Sequence, residues 1–435
     1  MDETLEKRTI AKVTWRIIPF LIVCYFVSFL DRVNLGFAGA AVSKHFAFSA
    51  TVFGFGAGIF FIGYFLFEVP SNILLDKFGA RRWIARIMLT WGLISGATAF
   101  IQGETSFYVI RFLLGVAEAG FFPGIILYLT YWFPAAYRAR IVGWFMVAIP
   151  VSSVIGAPVS QWVLSMDGAA GLAGWQWLFL IEAAPSVLLA FVVLGFLTDK
   201  PRHAAWLAAD ERAWLDATLE AERRRREAVK KFGLREALTN PRVLLLSLVY
   251  FGDVAALYGM GFWLPQILGP MHLSPLANVG ALAIPYAVGA VGMVLWVRRS
   301  DRSGERKLHT AIPAFVAALG LALVPFLSDP AAAVAALCVA ALGIFAMLPV
   351  FWTLPTAFLT GTAAAGGIAL VNSIGNLSGY VGPLIVGWLK DQTGGYAGGI
   401  WFLAACAFSA GVIVLLLGHR PEFEKLQARG EAAAD

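Results

Sequence analysis

Apolar residues in this chain are grouped in long blocks that alternate with short polar loops. Most blocks are close to 20 residues long, which as an α-helix is enough to cross about 30 Å of hydrocarbon. The pattern therefore predicts an all-α polytopic membrane protein with twelve transmembrane helices, at about 16–40, 50–75, 82–101, 106–132, 139–165, 174–197, 243–269, 276–298, 308–327, 331–354, 363–389 and 396–418.

One longer polar segment, residues 199–241, interrupts this pattern after the sixth block. It divides the blocks into six and six, and it is too short to form a separate enzymatic domain. We expect an N-terminal six-helix bundle at 1–198, linker helices at 199–241, a C-terminal six-helix bundle at 242–420 and a tail at 421–435.

Composition supports the membrane assignment and disfavours other classes. The chain has 435 residues, of which 59% are hydrophobic and 14% are charged, whereas a soluble protein carries about 25% charged residues. Its three cysteines lie in apolar blocks without a CxxC motif, so we expect no metal site. The sequence has neither a nucleotide-binding P-loop nor a Gly-x-Ser-x-Gly motif. We therefore expect a protein that is not an enzyme and needs no cofactor.

Basic residues are concentrated in alternate loops, which predicts the orientation in the membrane. The loops after the second, fourth and eighth blocks are basic, as are both termini and 199–241, whereas the opposite loops carry only Lys44 and Lys390. We expect both termini in the cytoplasm and the protein in a bacterial inner membrane. The net charge of +6 follows from this bias and does not indicate nucleic-acid binding.

Four charged residues lie at membrane depth in the first and fourth blocks. Arg111 and Glu118 are seven residues apart, so they share one helix face at roughly 10 Å along the axis. Asp31 and Arg32 follow roughly 22 Å along the first helix from its cytoplasmic entry. Because the two helices run in opposite directions, we expect all four charges at overlapping depth. A charge at bilayer depth costs at least about 2.5–3.5 kcal/mol, so such residues need a partner or a task.

The two kinds of charge suit different tasks. Arginine stays charged and offers a planar fork that matches a carboxylate, so Arg32 and Arg111 are candidate anion anchors. Asp31 and Glu118 can change protonation state when burial or the loss of an arginine partner favours the neutral form. An arriving anion would compete for the arginines while a proton neutralises the displaced acid. The alternative is a static charge network that stabilises the N-terminal bundle.

A seven-residue pattern recurs after the second and eighth blocks, as Asp76-Lys-Phe-Gly-Ala-Arg-Arg82 and Asp301-Arg-Ser-Gly-Glu-Arg-Lys307. Glycine permits a sharp turn, the acid can face a helix N-terminus, and the bases hold the cytoplasmic surface. A topology signal alone is the other interpretation. We predict gating roles for Asp76, Gly79, Arg81, Arg82, Asp301, Arg302, Gly304 and Arg306, and we expect Arg138 and Arg140 to meet the Asp76 loop in one gate state.

The first of these loops resembles the cytoplasmic loop motif of the major facilitator superfamily, except that Asn72 stands where that motif usually has glycine. Further stretches resemble its anion:cation symporter family and cover nearly the whole membrane portion. They are Phe29-Leu-Asp-Arg-Val-Asn-Leu35, Phe67-Glu-Val-Pro-Ser-Asn-Ile-Leu-Leu75, Arg111 to Pro123, Phe351-Trp-Thr-Leu-Pro355, Gly367-Ile-Ala-Leu-Val-Asn-Ser-Ile-Gly-Asn376 and Gly382-Pro383.

This resemblance implies two pseudo-symmetric six-helix bundles around a central cavity, which work by rocking alternating access. It also implies that Asp31 and Glu118 serve proton coupling and that Arg111 holds the substrate carboxylate. Which of Arg32 and Arg111 contacts the substrate directly stays open.

Other polar residues are weaker candidates for substrate binding. Tyr25 lies on the same helix face as Arg32, and Tyr64 in the second block can donate a hydrogen bond, although ordinary packing is the alternative. In the C-terminal half we expect a cavity wall that binds substrate hydroxyls, a second carboxylate or a ring, formed by Trp352, Thr353, Asn372, Ser373 and Asn376. Polar contacts between helices are the competing interpretation.

These observations predict a monomeric proton-coupled symporter that imports a small organic acid anion, with a proton gradient as the energy source. Its expected partners are a small carboxylate, protons and the lipid bilayer, with no nucleic acid. The resemblance favours tartrate or a similar hydroxy-dicarboxylate, followed by phthalate-like aromatic acids. A uniporter or exchanger and a non-transporting ligand sensor are the alternatives. The fifth block lacks the glycine-proline pattern typical of drug antiporters, which disfavours drug export.

Overall fold

The computed structural model describes residues 3–227, 240–271, 273–358 and 362–417. Within these ranges the chain forms α-helices joined by short loops and 3-10 turns, and it contains no β-strand. The α-helices are α1 (Glu3–Phe46), α2 (Ala50–Phe78), α3 (Ala80–Ala97), α4 (Glu104–Glu118), α5 (Phe121–Thr130), α6 (Ala135–Met146), α7 (Ala148–Leu164), α8 (Gly174–Phe196), α9 (Ala209–Glu227), α10 (Pro241–Leu268), α11 (Pro275–Ser303), α12 (Lys307–Leu323), α13 (Pro330–Phe351), α14 (Thr353–Phe358), α15 (Thr362–Thr393) and α16 (Ala397–Leu416).

These helices match the twelve predicted blocks. Eleven segments of the described residues are long and apolar enough to cross a membrane, and α15, with 32 residues, lies at the eleventh block. The predicted all-α polytopic fold is thereby confirmed. Three blocks are each divided between two helices: the fourth between α4 and α5, the fifth between α6 and α7, and the tenth between α13 and α14.

The fourth block is broken at Gly120, where the sequence predicts one continuous helix. α4 ends at Glu118 and α5 begins at Phe121. Gly120 has a φ of 84°, and a Cβ at this position would collide with the side chain of Ser71, so the turn requires glycine. Pro123 follows in the first turn of α5, where its missing N–H removes no helical hydrogen bond. Glu118 is therefore the last residue of its helix.

Each half of the chain packs mainly within itself. In the first half, α2 packs on α4, α3 packs on α8, and α1 packs on α7 and α8. In the second half, α13 packs on α11 and α12, and α16 packs on α10 and α12. The halves meet along three helix pairs, α2 with α15, α7 with α11 and α1 with α10.

The halves are closed against each other at the predicted extracellular end of α2. Asp391, in the last turn of α15, accepts hydrogen bonds from the first turn of α2. The Ala50 N–H donates to Oδ1 at 3.0 Å and the Thr51 N–H donates to Oδ2 at 2.7 Å. The Thr51 hydroxyl also donates to Oδ2, at 2.5 Å. A carboxylate of the second half thus caps a helix N-terminus of the first half, where a negative charge is favourable.

Helix α9 of the polar linker is attached to the first half of the chain by ion pairs. Glu211 pairs with Lys12 of α1 at 2.9 Å and with Arg8 at 3.1 Å. Further along α9, Glu222 pairs with Arg138 of α6 at 2.8 Å. Residues 228–239 of the predicted linker lie outside the described residues.

Candidate functional site

A small cavity of about 30 Å³ lies between the two halves. A water molecule needs roughly 10–15 Å³ of such space, so the two halves are closed tightly around the cavity in this conformation. Most of its wall is apolar or aromatic, and one charged side chain, Arg32, is among the described residues that line it. The other polar groups are those of Tyr25, Tyr64, Tyr250, Tyr258, Asn372 and Asn376.

Arg32 forms an ion pair with Glu118 at the edge of this cavity. The Nη1 atom of Arg32 donates to the hydroxyl of Tyr258 in α10 at 2.7 Å, and the hydroxyl of Ser28 donates to Glu118 at 2.8 Å. Arg32 is 6% exposed and Glu118 is 1% exposed. Arg32 thus connects a carboxylate of the first half to a hydroxyl of the second half.

Asp31 precedes Arg32 in the sequence but does not line the cavity. Its Oδ2 accepts hydrogen bonds from Trp91 Nε1 of α3 at 2.7 Å and from Ser186 Oγ of α8 at 2.6 Å. Its Oδ1 accepts a longer one from Ser95 Oγ at 3.4 Å. Consecutive residues of a helix are rotated by about 100°, which separates the surroundings of the two charges. Asp31 is therefore held by neutral donors, although its carboxyl group is within electrostatic reach of Glu118.

Arg111 also lies apart from the cavity and is 1% exposed. Its Nε and Nη2 atoms point to the backbone carbonyl oxygens of Gly56 and Ala57 in α2, at 3.4 and 3.5 Å. Its guanidinium carbon lies 5.2 Å from the centroid of the Phe60 ring. Arg32 lies 5.3 Å from the centroid of the same ring. Of the four charges expected together, Arg32 and Glu118 are the two that form an ion pair in the described part of the chain.

The other predicted substrate-binding residues divide into two groups. Tyr25, Tyr64, Asn372 and Asn376 line the cavity, whereas Trp352, Thr353 and Ser373 do not. The ring of Trp352 packs edge-on against Tyr250, with the centroids 4.8 Å apart. The Thr353 hydroxyl donates to the carbonyl of Val350 at 2.7 Å. The wall contributed by the second half therefore uses Tyr250 and Tyr258 where the sequence pointed to residues after Phe351.

Asn372 also joins the two halves of the molecule. Its Nδ2 donates to Oε1 of Glu68 in α2 at 2.8 Å, and its Oδ1 accepts from Nδ2 of Asn376 at 3.2 Å. Glu68 is 6% exposed, and its Oε2 has no hydrogen-bond partner. This contact lies about 27 Å along α2 from Ala50, so the α2–α15 pair is held on both sides of the cavity.

The first predicted gating loop is organised by residues from other helices. Asp76 accepts a hydrogen bond from the hydroxyl of Tyr131 at 2.7 Å. Gly79 has a φ of 89°, which agrees with the sharp turn expected of it. The N–H of Arg81 donates to Oδ1 of Asp199 at 2.8 Å. Asp199, which the sequence marked only as the end of a helix, thus takes part in this loop.

Arg138, one of the residues expected to meet the Asp76 loop, has other partners in this conformation. Arg138 pairs with Glu222, and its Nε donates to the carbonyl of Phe133 at 2.7 Å. The side chain of Arg140 lies outside the described residues, and Arg82 is exposed.

In the second predicted gating loop the acid and the base pair with each other. Asp301 and Arg306 are joined by an ion pair of 2.6 Å. Gly304 has a φ of 65°, and Arg302 is exposed. The two loops therefore share the glycine turn but differ in the partner of the acid.

Sequence reasoning missed the neutral groups that complete the site. Tyr258, Trp91 and Ser186 each donate to, or accept from, one of the membrane-depth charges. The available signal was weak, because each is a single hydrogen-bonding side chain inside an apolar block.

Comparisons with known proteins agree on one family. A profile described as the Major Facilitator Superfamily matches residues 21–366. Two proteins of Agrobacterium vitis, each named "Putative tartrate transporter", are 52% identical to this chain. The alignments cover 96% and 95% of this chain and 96% and 92% of those proteins. A "Quinolone resistance transporter" of Acinetobacter baumannii is 43% identical over 97% of this chain and 98% of its own length.

Solved structures with little sequence identity share the fold. The xylose transporter XylE from E. coli, in a partially occluded inward-open conformation, aligns with a TM-score of 0.76 at 14% identity. The alignment covers 94% of this chain and 98% of that one. A bacterial homolog of the human lysosomal transporter Spinster aligns with a TM-score of 0.71 at 17% identity, over 97% of each chain.

Proposed function

The chain belongs to the Major Facilitator Superfamily and is a membrane transporter, not an enzyme, and we propose that it is a proton-coupled symporter importing a small organic acid anion. Tartrate or a similar hydroxy-dicarboxylate is the leading substrate. The protein acts as a monomer in a bacterial inner membrane, with both termini in the cytoplasm. It works by rocking alternating access of its two halves around the cavity.

One observation carries this proposal: the ion pair between Arg32 and Glu118 at the edge of the cavity. Nη2 of Arg32 donates to Glu118 and Nη1 donates to Tyr258, and the same guanidinium can instead hold a substrate carboxylate in its planar fork. An anion that binds Arg32 therefore displaces Glu118. Because Glu118 is buried, its displaced carboxyl is stable only after it takes up a proton.

Displacing Glu118 from Arg32 is costly. Leaving one partner of a buried ion pair unpaired costs about 3–5 kcal/mol. A proton that neutralises the displaced carboxyl removes the unpaired charge, so substrate binding at Arg32 favours proton binding at Glu118 and the two events are coupled. Asp31 serves as the second proton-binding residue in this proposal.

The polar wall of the second half supports a substrate with several oxygen atoms. Asn372, Asn376 and Tyr258 can donate hydrogen bonds to hydroxyl groups or to a second carboxylate. The aromatic wall also accepts a ring, so phthalate is the natural comparison ligand. The two relatives named for tartrate and the one named for quinolone resistance make tartrate and a quinolone the other two ligands to compare.

The test is uptake of radiolabelled tartrate into proteoliposomes under an inward proton gradient, with wild type, Glu118→Gln and Asp31→Asn. We expect gradient-driven accumulation in the wild type and its loss in both variants. Counterflow without a gradient measures substrate exchange alone, and we expect it to persist in the variants because the neutral amides mimic protonated acids. Phthalate and a quinolone compete in the same assay.

Other outcomes select the other mechanisms. Full gradient-driven accumulation by both variants would make the coupling assignment wrong. Wild-type counterflow at a rate independent of the gradient would identify an exchanger or uniporter. Ligand binding without any flux would identify a sensor.

A further inference from the structure

A second group of buried acids lies inside the first half, outside the cavity. Asp31 of α1 and Glu182 of α8 are each 2% exposed. Asp31 accepts from Ser186, which is one helical turn after Glu182 on the same face of α8. Glu182 accepts from the hydroxyl of Ser160 in α7 at 2.7 Å. The two carboxyl groups are close enough for each to influence the charge of the other.

In the described part of the chain, no ion pair joins a basic side chain to either acid. Among the described residues, Asp31 faces Trp91, Ser95, Ser186 and Glu118, and Glu118 is already paired with Arg32. Glu182 faces Ser160, Asp31 and Asn34. Each unpaired ion in such surroundings costs several kcal/mol, so two negative charges cannot be kept here at ordinary pH. At least one of the two acids holds a proton.

The hydrogen bonds indicate which acid is neutral. Asp31 receives three donated hydrogen bonds, one of them from an indole N–H that can only donate. These donors stabilise a carboxylate. Glu182 receives one, from Ser160, and its Oε2 is buried without a partner. In this arrangement Asp31 is ionised and Glu182 is the acid that holds the proton.

The position of Glu182 suggests the direction in which this proton moves. Glu182 is nearer than Ser186 to the N-terminal end of α8, which is the predicted extracellular end, by about 6 Å. Its partner Ser160 lies four residues before the end of α7 at the same side. A proton that enters from this side therefore reaches Glu182 before Asp31, and Ser186 lies between the two acids.

We propose that Glu182 is a proton-binding residue that delivers protons to Asp31 from the predicted extracellular side. This inference rests on the proposed proton symport and adds a residue to it. The proton leaves the Glu182 carboxylic acid and binds the Asp31 carboxylate, and Glu182 is then reprotonated from outside. Asp31 and Glu182 are thus two proton-binding residues of one pathway, and neither of them lines the cavity.

The test compares two transport modes of Glu182→Gln in proteoliposomes. Glutamine keeps the shape and the hydrogen bond but cannot release a proton. We expect net gradient-driven uptake to fall at least about tenfold, because proton transfer by a positioned group is lost. Counterflow moves no net proton, so we expect it to stay within about twofold of the wild type. The matched control is Glu104→Gln, which changes an exposed acid at the start of α4.

A second measurement follows the proton directly. Infrared spectroscopy of the wild type at neutral pH is expected to show C=O stretching of buried carboxylic acids, to which Glu68 and Asp253 can also contribute. The component from Glu182 is the part of this absorption that is lost in Glu182→Gln and kept in Glu104→Gln. Absence of this absorption in the wild type would overturn the proposal even if Glu182→Gln did not fold.

These experiments distinguish a failure of the Glu182 inference from a failure of the symport proposal. If Asp31→Asn loses driven uptake while Glu182→Gln keeps it, this inference is wrong and the symport proposal stands. If net uptake and counterflow fall together in Glu182→Gln, its role is structural and the inference is also wrong. If Asp31→Asn keeps full driven uptake, the symport proposal itself fails.

Discussion

Arg32 donates to the carboxylate of Glu118, whereas Arg111 donates to backbone carbonyl groups of α2. The first arginine lines the cavity and the second does not. The two buried arginines of α1 and α4 therefore have different partners, and we expect them to make different contributions to substrate binding.

Replacing Arg32 should weaken substrate binding far more than replacing Arg111. Arg32→Lys keeps the charge beside Glu118 but removes the planar fork, which is worth about 1.5–3 kcal/mol. We therefore expect the dissociation constant for tartrate to rise roughly 10–100-fold. For Arg111→Lys we expect a change of less than about threefold. Isothermal titration calorimetry on the purified variants measures both, and equal losses would contradict the assignment of Arg32 as the anion anchor.

The hydrogen bond between Glu68 and Asn372 should couple the two halves energetically. A double-mutant cycle with Glu68→Leu, Asn372→Leu and the double variant isolates this contact. We expect a coupling of about 1–2 kcal/mol in the free energy of unfolding in detergent, because the acceptor is a buried carboxyl group.

The matched cycle pairs Glu68→Leu with Asn376→Leu. Within the described residues, Nδ2 of Asn376 donates to Asn372 and not to Glu68, so we expect a coupling below about 0.5 kcal/mol. Equal couplings in the two cycles would show that the effect is not specific to the contact.

Removal of the Asp391 cap should open the predicted extracellular end. Asp391 lies beyond the apolar stretch 363–389. Partial burial raises its pKa, but the hydroxyl and N–H donors of Thr51 and the N–H of Ala50 outweigh this and hold the pKa below its usual value. Asp391 is therefore charged, and its hydrogen bonds to α2 contribute fully, at pH values above the ordinary pKa of aspartate. This contribution is lost as the pH falls through the lowered pKa of Asp391 in the folded protein. We expect Asp391→Asn to weaken closure by about 0.5–2 kcal/mol.

Spin labels at Lys44→Cys and Gln392→Cys, both exposed positions, report the distance between the halves. Because the native cysteines Cys24, Cys338 and Cys406 would also react, the background carries their replacement by serine or alanine. We expect longer distances in Asp391→Asn at neutral pH, and in the wild type only on strong acidification. Distances that respond equally to acid in Asp391→Asn would contradict the role of this carboxylate.

The attachment of α9 should depend on pH through Glu211. Burial opposes the charge of this carboxyl, but hydrogen bonds from Lys12 and from the Ala208 N–H outweigh it and lower its pKa. A lowered pKa stabilises the folded state above the ordinary pKa of glutamate, and this contribution disappears as the pH falls through the lowered value. We expect Glu211→Gln to cost about 1 kcal/mol at pH 7, because its partners are half exposed.

The pH profile of thermal stability separates the effect of losing the Glu211 charge from an effect of altered packing. The difference between wild type and Glu211→Gln should vanish in acid. Asp210→Asn, which changes the exposed neighbour that pairs with Arg8 at 2.7 Å, should have a smaller effect. A difference that persists in acid would show that packing, and not the charge, is responsible.

Local sequence information was enough for some features and not for others. Block length predicted the helices, and the cost of charge in hydrocarbon identified Arg32 and Glu118 before their contact was known. The sequence could not predict towards which neighbouring helices the side chain of Asp31 points. That direction depends on the rotation of α1 about its axis, which is set by how α1 packs on the other helices. The partnership of Arg32 with Tyr258 joins residues 226 positions apart, and no spacing rule reaches that far. The break at Gly120 was visible in principle, since a glycine and Pro123 follow Glu118 closely.

The contacts of Asp391 and Glu68 have a consequence for the energy supply of the cell. A carrier that opened to both sides at once would let protons and solutes run down their gradients without doing work. Along α2 the two contacts stand on opposite sides of the cavity, roughly 27 Å apart, so one can break while the other stays intact. A helix pair built in this way keeps one barrier in place at each stage of the transport cycle and thereby limits leakage.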